Sequence, residues 1–166
     1  TFAPALADVR ALFLLRPPAI AAMQRTLLPL LDAAQQAGVG HVVFLSVVGA
    51  ERKPGIPHAA VERHLIQHGE RLPYTILRAG FFSQNLHEAY RDEIRLRDRL
   101  LLPTAAGRVA FVDTRDLGEA AASVLVEPDL HRWQAYALTG PRALGMAEVA
   151  ELLSLELGRT IRYQPI

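Results

Sequence analysis

Three short apolar runs, each followed by a stretch of helical periodicity, constrain the fold of this chain more than any other feature in it. Residues 9–15 (VRALFLL) close on Arg16-Pro17-Pro18 and predict a strand buried on both faces. A helix is expected over 19–37, apolar at Ile20, Met23, Leu27, Leu30, Leu31 and Ala34 and stopped by Gly38, with a kink or break at Pro29. Residues 41–46 (HVVFLS) form the second run, and 47–57 read as a loop carrying Gly49, Pro54, Gly55 and Pro57. The third unit follows as a helix over 58–68, a strand over 74–78 and a helix over 82–97. Strand-then-helix units in succession need parallel strands joined by right-handed crossovers, which makes this an α/β chain built on a parallel sheet.

Past residue 100 the elements shorten. Strands are expected at 100–102 and 108–112 around a turn at 104–107, then a helix over 115–127 capped by Asp113 or Thr114. A loop at 128–132, a strand at 135–139, a helix over 146–157 stopped by Gly158 and a strand beginning at 161–163 complete the pattern. No internal repeat or linker interrupts it, and the 166 residues are expected to form one domain.

Composition narrows the functional classes. A hydrophobic content of 51% in 166 residues supports a substantial core. The formal net charge is +1, and basic residues are interleaved with acidic ones, as in Arg91, Asp92, Glu93, Arg95, Arg97 and Asp98, so no one-signed stripe for nucleic acid exists. The absence of cysteine excludes disulfides and thiolate metal sites and makes the cytoplasm the expected compartment. No apolar run approaches the roughly 18 residues of a membrane span, so no membrane partner is expected.

The stretch from residue 57 to 85, PHAAVERHLIQHGERLPYTILRAGFFSQN, carries most of the chemistry. A polar helix, a buried strand and a Gly-Phe-Phe turn follow one another, and open α/β sheets bind ligands at the carboxyl ends of their strands. His58 and Glu62 stand one helical turn apart, where the carboxylate would favour the charged imidazole; the plain structural alternative is a helix start and a surface pair. Arg78 ends a strand and is expected to pair with an acidic residue rather than a phosphate. Gln84 and Asn85 are expected to satisfy loop backbone groups, and Trp133 to pack locally. His64 and His68 have metal-ligand spacing, but no third ligand joins them and their face reads as solvated, so no metal is expected.

This segment, together with GRVAFVDTRDLGEAAASVL (residues 107–125) and YALTGPRALGMAEVAELLSLELGR (136–159), resembles the NmrA-like branch of the short-chain dehydrogenase/reductase superfamily in order and spacing. The resemblance implies a Rossmann-like sheet with a small C-terminal substrate region, in which residues 9–15 match the fourth strand. No strand followed by a Gly-x-Gly-x-x-Gly turn precedes residue 40, and Gly38 and Gly40 follow a helix, so the chain is expected to be part of a longer one that lacks the first strands here. The superfamily's Tyr-x-x-x-Lys pair is absent, since no tyrosine precedes Lys53 at that spacing. His58 occupies the position that relatives fill with a cofactor-facing lysine, and the resemblance makes it the candidate for ribose binding and proton donation.

The same resemblance implies that three strand ends line the cofactor path: Leu14, Leu15, Arg16 and Pro17; Ser46 and Val47; and Ala79, Gly80, Phe81 and Phe82. Gly80 would allow close backbone approach, with one of Phe81 and Phe82 facing the ligand and the other the core. The implied activity is reduction of a small carbonyl or quinone by hydride transfer from NADPH, with NAD as second choice. The alternative is a non-catalytic, dinucleotide-binding redox sensor acting on a protein partner, which the missing Tyr-Lys pair favours. A third reading is a truncated relative that binds nothing.

Overall fold

The computed structural model describes residues 2–166. In chain order the elements are α1 (Ala3–Leu6), β1 (Ala11–Leu15), α2 (Leu27–Gln36), β2 (His41–Val47), α3 (Pro57–His68), β3 (Tyr74–Ala79), β4 (Phe81–Phe82) and α4 (Arg91–Arg97). There follow β5 (Arg99–Leu102), β6 (Arg108–Val112), α5 (Thr114–Val126), β7 (Gln134–Leu138), β8 (Ala143–Gly145), α6 (Met146–Leu157) and β9 (Arg162–Pro165). They divide into two compact units, one containing residues 2–79 and 117–138, the other 80–116 and 139–166.

The first unit is built on a wholly parallel four-stranded sheet in the order β1-β2-β3-β7. Central β2 is buried at every position but its last, as a parallel strand covered on both faces requires. At β1 the expectation of two buried faces fails: among the described residues it pairs only with β2, and Phe13 and Leu15 are 42% and 52% exposed. The core gathers Leu14, Leu31, Val42, Phe44, Val61, Leu65 and Ile76 between sheet and helices. The register pairs Leu15 with Leu45, Ser46 with Arg78 and Val47 with Ala79, so the carboxyl ends of three strands lie side by side.

Two expected helices are shorter than their periodicity suggests. The 19–37 pattern resolves into a 3-10 turn, Met23–Arg25, and then α2. Pro29 is the third residue of α2, where a helical N–H has no intrahelical acceptor to lose, so the break falls before the proline and not at it. Thr26 marks that break, its hydroxyl donating to the Ala22 carbonyl at 2.9 Å.

In the second unit the helix expected over 82–97 becomes β4, a 3-10 turn over Ser83–Leu86 and then α4. Phe81 and Phe82 are drawn into strand pairing opposite Phe111 and Val112 of β6, which outcompetes helical propensity. β6 also pairs antiparallel with β8, and β5 pairs parallel with β9. Ile94, Leu100, Leu102, Met146, Val149 and Ile161 form this unit's own core. Gly158, at φ +63°, ends α6 as expected. Among the described residues no helix is long and apolar enough to cross a membrane.

Candidate functional site

Helix α3 delivers His58 to the first unit's sheet because Pro57 pre-sets its first turn and Ala59, Val61 and Leu65 bury the apolar face beneath it. The His58 ring lies 6.1 Å from that of Phe44 on β2. Its Nε2 accepts from Nε of Arg16, the residue after β1, at 3.5 Å. That direction of donation places the ring proton of the neutral imidazole on Nδ1. Nδ1 is itself buried and has no hydrogen-bond partner among the described residues.

Burial first, and then the Arg16 charge, push the His58 pKa down, with Glu62 opposing them. Glu62 does favour the charged imidazole, as expected, but burial and the Arg16 charge outweigh it. The alternative, a His58–Glu62 surface pair, does not form, because Glu62 is 3% exposed and spent elsewhere. Ser46 Oγ donates to Glu62 Oε1 at 2.5 Å, and Arg78 forks onto the carboxylate, Nη2 to Oε2 at 2.7 Å and Nε to Oε1 at 3.1 Å. A buried carboxylate needs such charge-assisted bonds, and a planar guanidinium supplies two at once. Arg78 thus pairs with acidic residues, Glu51 at 3.5 Å being the second. An open cavity of about 430 Å³ adjoins this network, lined by Glu51, Arg63, Ile66 and Arg78, and His58 does not line it.

At the strand ends, Leu14 points into the core, Leu15 is exposed, Arg16 and Val47 are half-buried and Pro17 is exposed. The Ser46 hydroxyl is committed to Glu62, and Ala79 is buried, which leaves backbone groups and Arg16 as what this edge offers. Gly80 and both phenylalanines belong to the second unit. There a Cβ on Gly80 would lie 2.5 Å from the Ala110 carbonyl oxygen, so the close approach that needs glycine is to the chain's own β6. Both phenylalanines are half-buried; Phe81 packs edge-on against Phe111 at 5.3 Å and stacks on Tyr90 at 6.2 Å, at the margin of the second unit's core.

The remaining polar expectations divide. Gln84 satisfies loop groups as expected, donating to Asp113 Oδ1 at 2.8 Å and accepting from the Thr114 N–H at 3.1 Å, while Asp113 accepts from the Arg115 N–H to cap α5. Trp133 is exposed but packs against Gly69 at the end of α3, its indole N–H donating to the Gly69 carbonyl at 2.9 Å. The His64–His68 face is not solvated: His64 is bound to Asp32 of α2 at 2.9 Å and stacks on His68 at 4.3 Å. No set of three or more metal-ligating side chains occurs among the described residues. Sequence reasoning missed the Arg16–His58 contact, whose only signal was an arginine at a strand's carboxyl end.

A wholly parallel sheet whose strand ends lie side by side, joined through helices, is a Rossmann-like α/β architecture. The model of the NmrA-like family matches residues 2–166, and the chain belongs to that family. It is 37% identical to an NAD(P)H azoreductase of Xenophilus azovorans over 142 residues, which are 82% of this chain and 48% of that protein. Among solved structures, the NADPH-dependent quinone oxidoreductase of Escherichia coli in complex with NADPH superposes with a TM-score of 0.86 at 25% identity, covering 99% of this chain and 58% of that one. Triphenylmethane reductase of Citrobacter sp. in complex with NADP(H) follows at 0.82 and 25%, covering 99% and 59%. The chain spans about half the length of the curated relatives it matches.

Proposed function

We propose that this chain forms part of an NAD(P)H-dependent oxidoreductase that reduces a small carbonyl or quinone by hydride transfer. The observation that carries the reading is the His58 Nδ1–H, buried, without a partner among the described residues and held beside the carboxyl end of the parallel sheet. A buried donor without an acceptor costs roughly 1–3 kcal/mol, and a ribose hydroxyl supplies the missing acceptor. Relatives named for NAD(P)H azoreductase and NADPH-dependent quinone oxidoreductase activity support the class, with NADPH as preferred donor and NADH as the second choice.

When bound, the nicotinamide would supply the hydride. The chain's own residues bind and orient: His58 holds the ribose, and the backbone at Leu15, Arg16, Pro17 and Val47 borders the cofactor. Orientation supplies most of the rate acceleration, because the neutral His58 is a hydrogen-bond donor and not a strong acid. The test is steady-state oxidation of NADPH by a panel of quinones with the natural full-length polypeptide and its His58→Ala variant. Loss of one such hydrogen bond should lower kcat/KM by roughly two- to tenfold. NADPH binding with no turnover on any quinone would refute the enzyme and favour the redox sensor.

A further inference from the structure

We infer that Arg16 is the positioning residue for His58, fixing which imidazole nitrogen carries the proton while clamping the turn that follows β1. This rests on the reading of His58 as a cofactor contact. Nη1 of Arg16 meets three carbonyl oxygens of its own turn, those of Pro17 at 3.2 Å, Pro18 at 3.1 Å and Ile20 at 2.7 Å. With that arm anchored, the planar guanidinium has little freedom, and its Nε–H is left aimed at His58 Nε2.

An arginine does not give up its proton, so the nitrogen facing it serves only as acceptor. The proton of the neutral ring must then sit on Nδ1, the buried nitrogen that no described residue engages. A protonated ring would set N–H against N–H at this contact. The charged groups facing the ring are Arg16 and, from its own helix, Glu62, whose carboxylate is already shared between Ser46 and Arg78. Arg16 thus ties the turn at residues 17–20 and the donor on α3 into one unit, although 42 residues of chain separate Arg16 from His58. A lysine cannot do this, because one ammonium cannot serve the carbonyls and the imidazole in fixed directions.

The test uses the natural full-length polypeptide labelled with 15N-histidine, and reads the His58 tautomer and its titration from long-range 1H–15N correlation spectra. Wild type should show Nδ1 protonated and Nε2 bare at neutral pH. In Arg16→Met the Nε2–H form should become at least comparable to Nδ1–H, and the titration midpoint should rise, because the Arg16 charge that opposes protonation is gone. Arg16→Lys, which keeps charge and stem, guards against misfolding and should shift the tautomer the same way to a smaller extent. An unchanged tautomer and midpoint in both variants would overturn the proposal, even if quinone reduction fell. A tautomer change without any change in the KM for NADPH would uphold the role of Arg16 and instead remove His58 from the cofactor site.

Discussion

His41 should make the stability of this chain fall steeply in mild acid. The residue opens β2 at 1% exposure, and its Nε2 lies 2.9 Å from Thr75 Oγ1. Because Thr75 gives its hydroxyl proton to the His131 carbonyl at 2.7 Å, the imidazole must donate and its Nδ1 is left buried without a partner among the described residues. Burial, reinforced by Arg132 and His131 and opposed by Asp129, pushes its pKa down from 6.5 to about 4. The unfolded ring therefore takes up a proton at higher pH than the folded one. The stabilisation is fully present well above pH 6.5, is lost as pH falls through 6.5, and the loss is complete below about 4. That gap corresponds to roughly 3 kcal/mol, a large share of a typical domain's stability.

Urea unfolding of wild type and His41→Leu at a series of pH values from 7.5 to 4 isolates this effect. Other histidines depressed by burial, His58 and His64, cancel in the difference between the two proteins. Leucine leaves the Thr75–His131 bond in place, so the variant should gain on wild type by roughly 3 kcal/mol as pH drops to 4. A difference that stays constant across this range would show that the folded imidazole titrates normally, and the burial argument would be wrong.

Two further perturbations probe the frame of the site. Arg78→Met strands the Glu62 carboxylate, 3% exposed, and should cost about 3 kcal/mol in urea unfolding, with most of it recovered in Arg78→Met/Glu62→Leu; a single-variant loss under about 1 kcal/mol would contradict the pairing. Gly140→Ala places a Cβ within 2.1 Å of the Phe111 carbonyl oxygen and should destabilise the chain by about 1–3 kcal/mol, whereas an unchanged Tm would mean that the backbone yields freely there.

Local pattern carried much of this protein. Apolar runs of strand length, each followed by a helical stretch, dictated parallel pairing for β1, β2 and β3, because only helical crossovers return a chain to the same sheet edge. Caps and stops were equally legible: Gly158 ends α6, and Asp113 starts α5, since each acts on neighbours within a few residues. The spacing of His58 likewise marked the start of a helix beside the strand ends.

What the sequence could not decide was where side chains spend their hydrogen bonds. His58 and Glu62 share a helical face, yet the carboxylate, once buried, turns to the Arg78 fork and the Ser46 hydroxyl because no i,i+4 partner on a surface could repay its desolvation. Phe81 and Phe82 fit a helix start until β6 offered a strand to pair with. Nothing local announced that the missing Cβ of Gly80 would make room for the Ala110 carbonyl of β6. Periodicity records which face of an element is apolar, but the partner of a polar group comes from elements tens of residues away, and only their packing brings Arg16 to His58.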